Sequence, residues 1–334
     1  MRQGRLVLIC SAALLALGAT APQAVAASAG GEPRIEVSAA KLRASLHCQR
    51  SVRDAKRTPV LLVTGTGVDG TEAWPARLQV SLTAGGRPSC FVQFPEHTTA
   101  DIQVSVQYLV HGIRAMERRA GRRIAVYGVS QGGLLTRWAL TYWPSLRRLV
   151  TDVVSVAGTQ HGTTIFGSVL TTCGSTCRLT AAAWQQAASA KLQKALARFP
   201  DETPGRTAWT TVRSLDDEVV QPTSGAHPTS ALRGATNIVI QRVCPGRQVS
   251  HITTGVDSVS YAALIDAVGH RGAVSPKRFS ARVCDRPFAP VLDEQVTRDG
   301  IAVLVARAAA RTISGADGTK LLSAEPAVRA YARR

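Results

Sequence analysis

Gly128-Val129-Ser130-Gln131-Gly132 sets a serine between two glycines. The apolar run Ile124-Ala125-Val126-Tyr127-Gly128 comes before it and a helical pattern, Gly132 to Leu149, comes after. A chain that turns sharply from strand into helix holds its serine in a strained conformation, and side chains two residues to either side would collide. Glycine is therefore needed at both flanks. The turn lifts the hydroxyl above the sheet as a candidate nucleophile. It also places the Gln131 N–H and the helix N-terminus where negative charge would develop on an attacked carbonyl oxygen. A second donor must come from a loop after an earlier strand, and Thr64-Gly65-Thr66-Gly67 offers Thr66.

A serine hydroxyl needs a base, and the base needs a carboxylate to fix its tautomer and stabilise its cation. Of the histidines after Ser130, only His251 follows a strand pattern (Asn237 to Val243) by a short loop and precedes a helix. His227 lies in a polar loop and His270 ends a helix, so both read as surface residues, whereas His161 is near enough to a neighbouring strand end to line a pocket. The acid is expected after the strand Thr207 to Arg213, where Asp216, Asp217 and Glu218 are adjacent and the residues alone do not choose among them.

The elements that must hold these groups alternate. Strands are expected at Pro59–Val63, Cys90–Phe94, Ile124–Gly128, Val153–Ala157, Thr207–Arg213 and Asn237–Val243, and helices at Thr99–Arg119, Gly132–Leu149 and Val256–Val268. Continuous apolar strands alternating with helices imply a mostly parallel sheet covered on both faces. Residues 162–200 read as helical with no strand, an insertion over the upper edge of the sheet that serves as a lid or as one pocket wall.

Arg2 and Arg5, the apolar run Leu6–Ala19 and the small residues Ala24-Val25-Ala26 read as a secretory signal peptide over residues 1–26, leaving residues 27–334 as one catalytic domain. Six of the seven cysteines follow that leader: Cys48, Cys90, Cys173, Cys177, Cys244 and Cys284. An even number in an exported chain argues for disulfides, with the close pair Cys173 and Cys177 the easiest to assign. No metal site and no cofactor are expected, because one C-x3-C without a second ligand pair is a poor zinc signature. No later stretch is long and apolar enough to span a membrane. The formal charge of +18 reads as an arginine-rich solvated surface rather than attraction to anionic lipid, cell wall or nucleic acid. The arginines are scattered along the chain and aromatics are few, so no nucleic-acid partner is expected.

The chain resembles the secreted lipases of the Candida antarctica lipase B type, in the α/β-hydrolase superfamily. The matching stretches are Val60–Gly67, Ser130-Gln131-Gly132-Gly133-Leu134, Trp184-Gln185-Gln186, Asp217-Glu218-Val219-Val220-Gln221-Pro222 and Val243-Cys244, with a fainter match at Glu325-Pro326 and Tyr331-Ala332-Arg333. The resemblance implies an α/β-hydrolase fold with Asp217 as the acid, His251 as the base, and Thr66 with Gln131 as oxyanion donors. It implies the disulfides Cys48–Cys90 and Cys244–Cys284, which leaves Cys173 with Cys177. It also implies a pocket lined by Gln186 and the Thr159-Gln160 segment. Val129 stands where the family's lipase has tryptophan, which should widen the alcohol side.

The expected activity is a secreted serine lipase or carboxylesterase acting by an acyl-enzyme mechanism. The expected partner is a lipid or small ester at a lipid–water interface, and the expected state a monomer. The competing readings are a short-chain esterase, a polyester depolymerase, an acyl transferase, and a catalytically silent cationic surface-binding protein.

Overall fold

A computed structural model describes residues 31–333. The expected leader, residues 1–26, lies outside them. Nine strands occur among the described residues: β1 (Leu46–Cys48), β2 (Val60–Val63), β3 (Ser89–Val92), β4 (Ile124–Val129), β5 (Val150–Val156), β6 (Leu179–Thr180), β7 (Ala208–Arg213), β8 (Thr236–Val239) and β9 (Leu321–Leu322). Seven of them form one sheet in the order β1-β3-β2-β4-β5-β7-β8. All neighbours in it are parallel except β1, which runs antiparallel to β3 with Cys48 opposite Cys90. Those two cysteines are joined, as are Cys173 with Cys177 and Cys244 with Cys284.

Strand periodicity divides the core. Leu61 and Val63 of β2 face the helices Ile102–Ala120 and Gln131–Tyr142, while Val60 and Leu62 face the helices Leu78–Ala84 and Ser258–Gly269. Both faces are buried, so the central strands are apolar without alternation. The Ile102–Ala120 helix starts at Asp101, whose carboxylate accepts from the Gln103 N–H at 2.8 Å. It stops at Gly121 in the left-handed region (φ 63°), which glycine adopts without a Cβ penalty.

Several expected elements differ in extent, most of all the helix after Ser130, the strand before His251 and the stretch 162–200. The helix expected over Gly132–Leu149 ends at Tyr142, because Pro144 disfavours helical geometry at Trp143 and a short 3-10 turn, Pro144–Arg148, follows. The strand expected over Asn237–Val243 ends at Val239. There the Gln241 amide accepts from Leu215 N–H and donates to Ser214 and to the Arg247 carbonyl, and the chain coils into one helical turn, Ile240–Val243. The stretch 162–200 is mainly helical, but it contains β6, which pairs antiparallel with β9 from the C-terminal region. A two-residue strand whose partner lies far along the chain has no local signal.

Candidate active site

Parallel strands bring their C-terminal ends to one edge, where an open sheet carries its sites. β4 delivers Ser130 there. Its backbone (φ 56°, ψ −123°) is strained for a residue with a Cβ, and it starts the Gln131–Tyr142 helix. The flanking glycines are sterically required: a Cβ on Gly128 would lie 2.6 Å from the Gly132 carbonyl oxygen, and one on Gly132 would lie 2.5 Å from that of Val63.

His251 occupies the turn after β8. Its Nε2 is 3.0 Å from Ser130 Oγ and its Nδ1 is 2.9 Å from Asp217 Oδ2. Asp217 is buried, and its Oδ1 accepts from the Val219 and Val220 N–H groups at 2.9 and 2.8 Å, so its carboxylate is fixed in direction. The neighbouring acids do other work. Asp216 accepts from Val249 N–H and Glu218 accepts from His251 N–H, so both clamp the backbone that carries the histidine. Tyr127 donates to the Gly255 carbonyl at 2.9 Å and ties the following loop to the underside of the sheet. Burial pushes its phenol pKa well up, which keeps it a donor.

β2 delivers Thr64–Gly67 beside the serine. Gly65 lies so close that a Cβ there would meet Ser130 Cβ at 2.8 Å. Thr66 Oγ1 donates to Gln131 Oε1 at 2.7 Å and accepts from Gln186 Nε2 at 2.8 Å. Thr159 in turn donates to Gln186 Oε1 at 2.9 Å. The four side chains form one polar chain behind the position an oxyanion would occupy.

A cavity of about 90 Å³ opens above Ser130 and His251, with Thr66, Trp74, Val129, Ile252, Ile301 and Leu304 among its walls. Cavities that enclose a drug-sized ligand run to about 300–1,000 Å³. This one has room for a small group.

No protein-family model matches the chain. It is 29% identical over 314 residues to lipase B of Pseudozyma antarctica, an alignment spanning 91% of this chain and 87% of that protein. The crystal structure of Aspergillus fumigatus lipase B superposes with a TM-score of 0.80 at 27% identity, covering 93% of this chain and 76% of that one. The propeptide form of the Bacillus licheniformis lipase BlEst2 shares the fold at 15% identity and a TM-score of 0.52, over 69% of this chain and 54% of its own. The chain has the α/β-hydrolase fold and is an ester hydrolase similar to lipase B over most of its length.

In this hydrolase, Ser130, His251, Asp217, Thr66 and Gln131 come together, and Val129 walls the cavity. The structure places the other expected pocket residues as follows. Gln160 is fully buried beneath the site, with its amide donating to Ser155 Oγ and its carbonyl accepting from Arg137. Thr159 and Gln186 are buried and hydrogen-bonded to one another, and Gln186 holds the Thr66 hydroxyl. His161, expected near the pocket, turns outward to Glu202 and the Thr229 carbonyl.

Sequence reasoning missed the Glu294–Ala309 helix, which contributes Ile301 and Leu304 to the cavity. Its signals were present: the cap Asp293, Glu294 in the first turn, Arg307 in the last, and Ile301, Leu304 and Ala308 at helical spacing. It also missed Arg311, a buried cation that donates to the Gly67 carbonyl, Glu72 and Asp317. These contacts raise its pKa further, the Glu72 hydrogen bond most, and they hold Glu72 down at about 2.

Proposed function

We propose that this ester hydrolase cleaves carboxylic esters through a Ser130–His251–Asp217 triad. The observation that supports this most is the continuous hydrogen-bond path from Ser130 Oγ through both nitrogens of His251 to Asp217. Neutral His251 Nε2 takes the hydroxyl proton as Ser130 Oγ attacks the ester carbonyl. Asp217 stabilises the imidazolium through Nδ1. The backbone N–H groups of Thr66 and Gln131, with the Thr66 hydroxyl able to rotate toward them, hold the oxyanion. His251 then protonates the departing alcohol. Water attacks the acyl-enzyme, gives its proton to His251, and releases the acid and Ser130.

The cavity walls support this substrate class. Val129, Ile252, Ile301 and Leu304 favour an apolar group, and the small volume leaves the longer part of a lipid ester outside the cavity. Export fits the three disulfides, which persist in oxidising compartments, and the leader pattern over residues 1–26. Residues 27–334 would then act as one catalytic domain.

The test is nitrophenolate release from p-nitrophenyl esters of two to sixteen carbons, by the oxidised protein and by Ser130→Ala. Hydrolysis that disappears in the variant supports the reading. Equal turnover by both would sink it, and a rate that does not rise beyond butyrate would restrict it to short-chain esters.

A further inference from the structure

The cations that are scattered in sequence gather in space. Just before each of five neighbouring parallel strands stands an arginine: Arg87 before β3, Arg57 before β2, Arg122 before β4, Arg148 before β5 and Arg206 before β7. Those strands are consecutive in the sheet, so the five residues follow one another along the edge opposite Ser130. With strands about 4.8 Å apart, the row runs for about 19 Å. Arg118 and Arg119, at the end of the Ile102–Ala120 helix that leads into β4, thicken it.

None of these seven arginines forms an ion pair among the described residues. Where their guanidinium groups bond, as Arg57 does to the Gly85 carbonyl and Arg122 to that of Ala55, the acceptors are neutral. Of the carboxylates in the same segments, Asp54, Glu117 and Asp201 form no ion pair among the described residues, and Glu202 pairs with Arg233 and Arg137 rather than with the row. Around the catalytic edge the pattern is reversed, with Arg311 and Arg307 on Glu72 and Arg247 on Asp257. Burial first, then the nearby positive charges of Arg57 and Arg122, lowers the Arg87 pKa against an opposing contribution from Tyr261, as expected for crowded cations.

We propose that this row is a docking track for a linear, hydrated polyanion bearing phosphate or similar anionic groups, which would hold the enzyme with its catalytic edge facing away. A polymer fits better than a bilayer because no large hydrophobic side chain is exposed in these segments, while those that are exposed (Ile165, Val169, Val296 and Val303 among them) lie on other elements. The segments carry no aromatic residue to stack on bases.

Binding of the oxidised protein to immobilised long-chain inorganic polyphosphate would be measured across salt concentrations. It would be compared with a variant carrying Arg118→Gln, Arg119→Gln, Arg148→Gln and Arg206→Gln. A control would carry Arg178→Gln, Arg242→Gln, Arg282→Gln and Arg286→Gln, an equal charge change away from the row. The track variant should bind about 30-fold more weakly. Its slope of log affinity on log salt should flatten by about 3. The control should stay within about threefold of the parent, and ester hydrolysis should be unchanged in all three. Equal weakening in both variants would reduce the effect to net charge and overturn the proposal. So would tighter binding to anionic phospholipid vesicles or to an oligodeoxynucleotide than to polyphosphate, or no binding at 150 mM salt.

Discussion

Arg311 donates its Nη1 to the carbonyl of Gly67 at 3.1 Å, one residue beyond Thr66. The same side chain holds Glu72 and Asp317, so one buried cation ties the Thr64–Gly67 loop to the C-terminal region. Gly67 itself (φ 77°) sits against Ala308, where a Cβ would lie 2.7 Å from the carbonyl oxygen. Replacing Arg311 by methionine should lower kcat about 100-fold, the scale of an ångström-level misplacement of a reacting group. Stability should fall by about 1–3 kcal/mol, because Glu72 loses Arg311 but keeps Arg307. Steady-state kinetics and urea unfolding of Arg311→Met and Arg311→Lys separate the two effects, with the lysine recovering stability more than rate. Unaltered kcat in a folded Arg311→Met protein would show that Gly67 needs no anchor.

The two adjacent aspartates are separable by experiment. Asp217→Asn keeps the shape but removes the charge and favours the wrong His251 tautomer, so kcat should drop about 10⁴-fold. Asp216→Asn keeps an acceptor for the Val249 N–H and should leave kcat within about threefold. Comparable losses in both variants would reassign the acid.

The Thr66 hydroxyl should contribute beyond its backbone N–H. Thr66→Val retains shape and N–H but breaks the bonds to Gln131 and Gln186. A decrease in kcat of about 10²-fold with little change in KM is expected for loss of one oxyanion donor. A change confined to KM would make the hydroxyl a ground-state contact only.

Glu72 gives a pH dependence with a definite sign. Its hydrogen bond to Arg311, opposed by burial and helped by Arg307, lowers its pKa from 4.5 to about 2 in the folded chain. The unfolded chain therefore binds this proton first as pH falls. The stabilisation is complete above about pH 4.5 and is lost progressively toward about pH 2. Urea midpoints measured from pH 6 to pH 2 should fall less steeply for Glu72→Gln than for the parent. Parallel curves would remove Glu72 from the acid response.

What was legible in the sequence is what local sterics and periodicity control. The glycines around Ser130 announce a strand–turn–helix because nothing else fits there, and the apolar runs of β2, β4 and β5 announce a sheet buried on both faces. Pro144 was equally local and should have shortened the helix expected to reach Leu149. What was hidden depends on distance. Arg311 is one of many arginines until the fold wraps it over Gly67. β6 needs β9 from far along the chain. Gln160 could be told from Thr159 only once the chain reversed after β5. The arginine row is the strongest case: its members look scattered because they are spaced by whole strand–helix units, and the sheet order alone brings them side by side.

The central claim, that Ser130 is a nucleophile activated by His251, is tested most directly by covalent trapping. An alkyl p-nitrophenyl phosphonate presents a tetrahedral phosphorus to Ser130 Oγ. Attack forms the Ser130–phosphorus ester and expels p-nitrophenolate, so the burst counts active serines. The account predicts one equivalent of nitrophenolate per chain and a single adduct that peptide mass spectrometry places on Ser130. It also predicts a rate at least about 10³-fold slower in His251→Ala. An adduct on another residue, or trapping at full rate without His251, would contradict it.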